Sequence, residues 1–236
     1  MRAPVSIVIP TLNAAEVLPA TLGCLGEGLE AGLIRELILS DGGSTDGTPR
    51  LGEEAGAMVV SGPAGRGTQL RRGAEWAGGE WLLFLHADTC LGDGWSAALL
   101  DHLRDREEHA GYFRLGFRAS GLAPRVVAGW ANWRSRAFGL PYGDQGLLIS
   151  RRLYDRVGGF PDISLMEDVA LAQKLGGRLV ELDARAWTSA ERYQRDGWLR
   201  RGGRNLVTLT RYLMGTDPER LRKSYEKGHD GRRSGG

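Results

Sequence analysis

The sequence lacks several features that would assign it to a specialised class of protein. Its 236 residues include only two cysteines, Cys24 and Cys90, without metal-ligand spacing, so we expect neither a zinc site nor a disulfide. No apolar run approaches the roughly 20 residues of a membrane-spanning helix, and no signal peptide is recognisable. A net charge of +2 gives no reason to expect a nucleic-acid partner. These absences favour the reducing cytoplasm and leave peripheral contact with the inner face of a membrane open.

What the sequence has is a regular alternation of apolar runs and amphipathic segments. The predicted strands of the first half are the runs at residues 5–9, 34–39, 58–60 and 81–85. The segments between them carry apolar residues at helical intervals. Pro10 is expected to end the first strand, and Asn13 with Glu16 to form a capping box for the first helix. The alternation predicts an α/β fold with a Rossmann-like, mostly parallel sheet flanked by helices.

The second half has a different, mixed pattern. Residues 111–117 alternate in polarity and predict a half-solvated strand. Further short strands are predicted at 147–149 and 178–182. Predicted helices occupy residues 124–138, 153–157, 166–176 and 198–213. We expect one domain over residues 1–228, made of segments 1–90, 91–195 and 196–228, and a disordered tail over 229–236.

Polar residues follow three of the predicted parallel strands. They are Thr11, Asp41 and Asp88, and a glycine loop at residues 62–67 precedes a helix on the same side. Because the carboxyl ends of parallel strands meet at one rim, we expect these residues to share a crevice. A carboxylate for a base or ribose, backbone amides and a metal-holding Asp88 suit a nucleoside diphosphate with Mg²⁺ or Mn²⁺. The alternative for Asp88 is a turn residue that closes its strand.

Five short strings resemble, in order, the motifs of inverting family 2 glycosyltransferases with the GT-A fold. They stand at residues 6–13, 41–48, 86–88, 158–160 and 167–168, and the resemblance covers roughly residues 4–195. Residues 86–88 read His-Ala-Asp where the family has Asp-x-Asp, as in a compact bacterial branch of it. The resemblance implies transfer of a sugar from a nucleotide sugar to an acceptor that is not identified, with a divalent metal ion.

The resemblance also implies which residues contact the nucleotide sugar and the metal. The residues expected at the nucleotide are Pro10, Thr11, Asn13, Asp41, Gly43, Ser44, Asp46, Gly65, Arg66, Gly67, His86, Ala87 and Asp88. Asp41 would contact the base, Ser44 and Asp46 would shape its loop, and Asp88 would hold the metal. His86 could bond a ribose hydroxyl but adds no charge, so metal binding should be weak before the nucleotide arrives. A strand-end histidine with a backbone partner is the alternative.

By the same resemblance, Asp168, paired with Glu167, would be the catalytic base that deprotonates the acceptor hydroxyl. A single base with in-line attack inverts the anomeric carbon. The alternative is that both acids only complement a helix dipole. The family's Gln-x-x-Arg-Trp pattern is absent, so Arg192, or else Arg195, is expected to face the diphosphate.

Two further features stay open at this stage. Asp144 and Gln145 precede a predicted strand and would border the acceptor cleft, where they could bond hydroxyl groups; a turn-capping role is equally consistent. The basic amphipathic helix at 198–213 and tryptophans such as Trp130 and Trp133 could contact anionic lipid, or be a solvated face and core packing.

Two rival functions remain. A sugar nucleotidylyltransferase would explain residues 65–70, but its glycine loop normally follows the first strand and here follows the third. A nucleotide-sugar-binding module without catalysis would have lost its base or its metal ligand, whereas Asp168 and Asp88 are both present. A dinucleotide dehydrogenase is disfavoured because no glycine-rich fingerprint follows the first strand.

Overall fold

One curled eight-stranded sheet organises the protein, in a computed structural model that describes residues 3–230. The strands are β1 (Val5–Thr11), β2 (Ile34–Asp41), β3 (Met58–Ser61), β4 (Trp81–Phe84), β5 (Thr89–Leu91), β6 (Ala110–Phe117), β7 (Leu147–Ser150) and β8 (Leu179–Thr188). The main helices are α1 (Leu18–Gly23), α2 (Gly26–Glu30), α3 (Thr48–Glu54), α4 (Arg66–Trp76), α5 (Trp95–Asp105), α6 (Leu122–Phe138), α7 (Arg151–Arg156), α8 (Glu167–Leu175), α9 (Glu191–Asp196), α10 (Trp198–Leu213) and α11 (Pro218–Asp230). The strand order is β3-β2-β1-β4-β7-β6-β8-β5.

The first four strands form the parallel part of the sheet, as the alternating pattern predicts. β1 pairs with β2 on one side and with β4 on the other. The apolar side chains of β1 and β4 are almost fully buried on both faces, because helices cover the sheet above and below. The carboxyl ends of these strands therefore lie at one rim, and the predicted α/β class is confirmed.

The connection after β1 differs from the prediction. Pro10 does not end the strand, which continues to Thr11 in register with Asp41. The pairing of β1 with β4 has already ended at Val8, so the missing N–H of Pro10 breaks no ladder on that side. Asn13 is not a helix cap either: it has a positive φ of 49°, and α1 begins only at Leu18.

The rest of the sheet is mixed: β6 pairs in parallel with β8, whereas the pairs β4–β7, β6–β7 and β5–β8 are antiparallel. Its strands are more buried and longer than the sequence suggested. β6 is not half-solvated, because Arg114 is its one side chain that is not buried. The predicted strand at 178–182 extends to Thr188 as β8, with buried and exposed positions alternating from Leu182 onward. The charged residues Asp183 and Arg185 suggest in sequence that the strand has ended, but in the structure they occupy its exposed positions. β5 and α5 were not predicted.

The cysteines also contradict the prediction, because Cys24 and Cys90 form a disulfide. Their Cα atoms lie 5.6 Å apart, although 66 positions separate them in the sequence. Cys24 follows α1 and Cys90 lies in β5, and these two elements contact each other only in the folded chain. The spacing of the cysteines in the sequence therefore could not reveal the pair. The expectation of a reducing compartment, which rested partly on unpaired cysteines, loses that support.

The C-terminal part contains two helices. α10 has the predicted bounds, and α11 includes residues 229 and 230, which were expected to be disordered. Residues 231–236 of the predicted tail lie outside the described residues. Within the described chain, no helix is both long and apolar enough to cross a bilayer.

Candidate active site

An open cavity of about 260 Å³ collects charged residues from distant parts of the chain. Four carboxylates line it: Asp88, Asp144, Glu167 and Asp168. Three arginines line it as well: Arg66, Arg192 and Arg201. The sheet rim, the starts of α4 and α8, and the C-terminal helices each contribute, so the cavity lies where both halves of the fold meet. Such a mixed lining can hold an anionic ligand and also provide a base.

Asp88 lies in the turn between β4 and β5. β4 ends at Phe84, and the backbone N–H of Thr89 donates to the carbonyl of His86 at 3.2 Å, which closes the turn. The Asp88 carbonyl accepts from Arg118 Nη2 at 2.8 Å. Asp88 is thus a turn residue, as in the alternative reading, and also a cavity residue. The two roles are compatible because the turn carries the side chain to the rim.

His86 is enclosed on the same side of the cavity. Burial, with the charges of Arg66 and Arg192, holds the pKa of His86 well below its usual range, so the ring is neutral at pH 7. Its Nε2 atom has no hydrogen-bond partner among the described residues, which excludes the expected backbone partner for that atom. A Cβ at Gly143 would lie 2.5 Å from Nε2, so the glycine is needed for this close approach. Nε2 is therefore a buried polar atom whose hydrogen-bonding capacity the described chain leaves unused.

Glu167 and Asp168 form the first turn of α8 and have different surroundings. The preceding Met166 has a φ of 68°, a left-handed conformation that is uncommon outside glycine. Glu167 is almost fully buried, with Arg66 Nε 3.6 Å from its Oε1. Burial raises the pKa of Glu167 to about 7, against the opposing effect of Arg66. The Glu167 side chain is thus enclosed by protein, and its partner Arg66 also lines the cavity, where it can contact a ligand.

Asp168 is half-buried and firmly oriented. Its Oδ2 accepts from the backbone N–H of Gly143 at 2.7 Å, and its Oδ1 from that of Val169 at 2.7 Å. Each carboxylate oxygen has a second lone pair, so both can still accept a proton or a hydroxyl hydrogen bond. An oriented carboxylate at the cavity wall is the arrangement that a general base needs.

Asp144 and Gln145, although adjacent, have unrelated roles. Burial raises the pKa of Asp144 to about 6, and its Oδ1 has no hydrogen-bond partner within the described chain. The Gln145 amide is instead fully engaged: Oε1 accepts from Ser135 Oγ at 2.7 Å, and Nε2 donates to the Phe113 carbonyl at 3.1 Å. Gln145 does not line the cavity, so the expectation that it contacts a ligand is replaced by a structural role. A buried amide of this kind cannot be recognised from sequence spacing.

The C-terminal segment contributes cations that only partly match the prediction. Arg192 lines the cavity, whereas Arg195 does not and lies 3.1 Å from Asp196. Arg201 and Asn205 of α10 line the cavity and were not predicted. Asp196 also binds Arg201, and despite partial burial these hydrogen bonds hold its pKa at about 2. The helical spacing of Arg201 with the inward-facing Thr208 and Leu209 was the signal that could have assigned this face.

The loop after β2 forms a separate network beside the cavity. Asp41 is buried, and its carboxylate accepts from the backbone N–H groups of Gly43 and Ser44, at 2.9 and 2.8 Å, and from Thr11 Oγ1 at 3.0 Å. These bonds, with one from Ser44 Oγ, keep the pKa of Asp41 low despite burial. Asp41 does not line the cavity that holds Asp88 and Asp168. Each carboxylate oxygen of Asp41 accepts two hydrogen bonds within the loop, so contact with a base would require one of these bonds to be exchanged.

Other residues hold this loop against the segment after β1. Ser44 Oγ accepts from the backbone N–H of Asn13 at 2.8 Å, and Asn13 Oδ1 accepts from that of Thr45 at 2.9 Å. Asp46 accepts from the backbone N–H groups of Thr48 and Ala15, at 2.9 and 3.1 Å. The expected pocket residues of both segments are therefore bound to one another and form a single preformed unit.

The remaining predicted residues divide between rim and core. Arg66 is exposed and reaches the cavity from the first position of α4. Gly67 is buried, and a Cβ there would lie 2.5 Å from the carbonyl oxygen of Pro161, so it permits close packing of α4 against the loop before α8. Gly65 has a φ of 154° at the start of the helix. The Ala87 carbonyl accepts from Thr21 Oγ1 at 2.7 Å, which anchors the turn that carries Asp88.

The cavity suits a metal–diphosphate complex better than a bare metal ion. In the described part of the chain, no group of three or more His, Cys, Asp or Glu side chains could hold a metal by itself. Asp88 supplies a hard carboxylate oxygen, and the orphaned Asp144 Oδ1 lies in the same lining. Diphosphate oxygens would complete the coordination of Mg²⁺ or Mn²⁺, which keep few protein ligands in such sites.

Comparison with known sequences adds a family match. Residues 6–140, more than half of the chain, match the family described as Glycosyl transferase family 2. A PGL/p-HBAD biosynthesis glycosyltransferase of Mycobacterium tuberculosis is 42% identical over 102 residues, 39% of this chain and 38% of the relative. The glycosyltransferase AglJ of Haloferax volcanii is 29% identical over 168 residues, covering 70% of this chain and 54% of AglJ. The chain thus aligns with 38% to about half of these relatives' lengths.

Solved structures with the same architecture are also known. The mannosyltransferase PcManGT of Pyrobaculum calidifontis, in complex with GDP-Man and Mn²⁺, has a TM-score of 0.66 at 21% identity, covering 93% of this chain and 67% of that one. Glucosyl-3-phosphoglycerate synthase of Mycobacterium tuberculosis, with Mn²⁺, UDP and glucosyl-3-phosphoglycerate, has a TM-score of 0.55 at 21% identity, covering 79% of this chain and 70% of that one. These likenesses confirm the GT-A fold.

Proposed function

The chain belongs to glycosyl transferase family 2, and from that membership and the cavity's geometry we propose that it transfers a sugar from a nucleoside diphosphate sugar to an acceptor hydroxyl. The proposed transfer inverts the anomeric carbon and is assisted by Mg²⁺ or Mn²⁺. The observation that carries the proposal is that Asp88 and Asp168, 80 positions apart, line the same cavity together with Arg66 and Arg192. A carboxylate for a cation, arginines for a diphosphate and an oriented base are the parts that this reaction needs.

The diphosphate leaving group requires positive charge. Arg66 and Arg192 lie in the cavity wall and can neutralise phosphate oxygens, and Arg66 is already oriented by Glu167. Asp88 would hold the divalent ion, which acts as a Lewis acid on the departing diphosphate. His86 stands where the family pattern has its first aspartate, so Asp88 alone supplies the charge of this motif. We therefore expect the protein to bind the ion weakly until a nucleotide brings further oxygen ligands.

The acceptor hydroxyl must lose a proton as it attacks. Asp168 is the proposed base, because both of its oxygens are held by backbone N–H groups and it lines the cavity. Its neighbour Glu167 is buried against Arg66 and has a raised pKa, which suits a positioning residue. Asp144 has an unpartnered oxygen in the same lining and would accept a hydrogen bond from a sugar or acceptor hydroxyl. With one base and no carboxylate nucleophile, the transfer inverts the anomeric carbon.

The proposed donor can be identified by ligand-induced thermal stabilisation. Nucleoside diphosphates and their sugar conjugates are screened with Mn²⁺ and again with EDTA. We expect one nucleotide series to raise the melting temperature with Mn²⁺ and to do so much less with EDTA, since a ligand that binds only the native state stabilises it. Release of free nucleoside diphosphate from the selected donor separates this function from pyrophosphate exchange by a nucleotidylyltransferase. A protein that responds to no sugar nucleotide would contradict the proposal.

A further inference from the structure

α6 and α10 contact each other and expose a set of large apolar side chains. On α6 these are Leu122, Val126, Trp130, Trp133 and Phe138. On α10 and its C-cap they are Leu199, Leu206, Val207, Leu213 and Met214. Together these ten residues are termed the apolar patch. Leu122, Leu199 and Met214 are exposed by 78%, 84% and 81%, which is unusual for side chains of this size.

The patch is arranged on one face of each helix. On α6, Leu122, Val126, Trp130 and Trp133 recur at three- and four-residue intervals, while Ala131 on the opposite face is buried. The rings of Trp130 and Trp133 lie 4.9 Å apart, and Phe138 packs edge-on against Trp133 at 5.3 Å. These aromatic residues therefore form a continuous exposed cluster and are not isolated surface residues.

α10 has two functional faces. Leu199, Leu206 and Val207 lie on its exposed side, whereas Arg201 and Asn205 lie on the inner side and line the cavity. One helix therefore separates the cavity from the apolar patch. Whatever the patch contacts is therefore held close to the cavity.

The charge around the patch identifies its partner. Neither α6 nor α10 contains an aspartate or glutamate, whereas they contain seven arginines between them. Arg125, Arg200 and Arg211 are exposed beside the apolar side chains. Glu181 of β8 approaches α6 but is bound by Arg136 at 2.7 Å. Exposed tryptophan and leucine flanked by arginine is the composition of surfaces that dock on anionic lipid.

We propose that the apolar patch docks the protein on the surface of an anionic lipid bilayer, with the exposed arginines at the headgroups. A two-fold contact between two copies through this face would place arginines against arginines, with no acidic residue on either helix to compensate. A bilayer with anionic headgroups supplies both the apolar layer and the opposite charge. Docking requires neither donor nor turnover, so it stands or falls separately from the proposed transferase activity.

Vesicle flotation tests the docking directly. Wild-type protein is floated with vesicles of phosphatidylcholine alone and of phosphatidylcholine mixed with phosphatidylglycerol. We expect binding to the mixed vesicles, much weaker binding to phosphatidylcholine, and a decrease with added salt. Blue-shifted tryptophan emission, quenched by brominated lipid, provides a second measurement that needs no variant. Absence of binding to the mixed vesicles would overturn the proposal.

Matched substitutions localise the binding. Trp130→Ser with Trp133→Ser should reduce partitioning at least about tenfold, since large apolar area is lost, whereas Trp76→Ser, at an exposed tryptophan of α4, should leave it unchanged. Arg200→Gln with Arg211→Gln should reduce it about fivefold per arginine. The control is Arg104→Gln with Arg106→Gln, at exposed residues at the end of α5. Equal losses in patch and control variants would refute docking through this patch.

The same variants distinguish a dimer from a membrane contact. All substituted side chains are exposed, so melting temperatures close to wild type confirm that the variants fold. Sedimentation of the wild type without lipid should show a monomer. A dimer that the tryptophan substitutions dissociate, in a protein that ignores vesicles, would make the patch a contact between copies and overturn the proposal.

Discussion

Adjacent residues in the first turn of α8 have different electrostatic environments. Glu167 is buried, paired with Arg66 and has a raised pKa, whereas Asp168 is half-buried and held by two backbone N–H groups. Both residues line the cavity, but only the Asp168 carboxylate is held by backbone N–H groups, as an oriented base would be. This difference supports the proposal that Asp168 is the base and Glu167 a positioning residue.

Replacing the proposed base should separate turnover from binding. Asp168→Asn should reduce the transfer rate by about 10²- to 10⁴-fold, because no group then accepts the acceptor proton. Donor affinity, measured by calorimetry, should stay within a few fold. Asp155→Asn, at an exposed aspartate of α7, is the control. Turnover retained in Asp168→Asn would remove this residue from the mechanism.

The raised pKa of Glu167 predicts how stability depends on pH. Because burial raises this pKa from 4.5 to about 7, the folded state holds a proton that the unfolded state releases. The stabilising contribution is therefore complete below about pH 4.5 and is lost as pH rises toward about 7. Glu167→Gln, which is neutral at every pH, should flatten this part of the curve in urea unfolding. Glu53→Gln, at an exposed site, should leave the curve unchanged; a flattened curve there would contradict the assignment.

At the level of helices and strands, the local sequence pattern predicts where an element lies, whereas tertiary context decides what each of its faces contacts. The amphipathic pattern of α10 predicted its bounds correctly, and apolar runs located β1 through β4. The inner face of α10, however, faces a cavity and not only a core, so polar Arg201 and Asn205 occupy it. Likewise, the second half of β8 was missed because charged residues occupy its exposed positions, which interrupts the apolar run in the sequence. Periodicity finds elements, but it does not say what each face contacts.

The disulfide between the end of α1 and β5 should contribute measurably to stability. The two cysteines are 66 positions apart, and a disulfide typically stabilises a protein by about 2–4 kcal/mol, with long closed segments at the upper end. Cys24→Ser with Cys90→Ser should lower the free energy of unfolding by this amount. Reductant should have the same effect on the wild type and none on the double variant. A wild type that reductant does not destabilise would contradict the pairing.

At the scale of the whole molecule, the active-site residues meet because the sheet brings separate segments to one rim. The ordered motifs that resemble the family predicted Asp88 and Asp168, and the glycine loop predicted Arg66; all three line the cavity. Arg192, which also lines it, was predicted without a matching motif and with Arg195 as the alternative. The environments of Asp41 and Gln145 depend on residues far away in the sequence. Asp41 accepts a hydrogen bond from Thr11, 30 positions away, and Gln145 donates one to Phe113, 32 positions away. Those environments have no counterpart in local sequence.

The most direct test of the central claim is calorimetric titration of the preferred nucleoside diphosphate with Mn²⁺ and with EDTA. If a cation links Asp88 to the diphosphate, Mn²⁺ should strengthen binding by at least about tenfold in the wild type, and Asp88→Asn should abolish this difference. Asp93→Asn, at an exposed aspartate before α5, should retain it. An Asp88→Asn variant that keeps the full effect of Mn²⁺ would contradict the account.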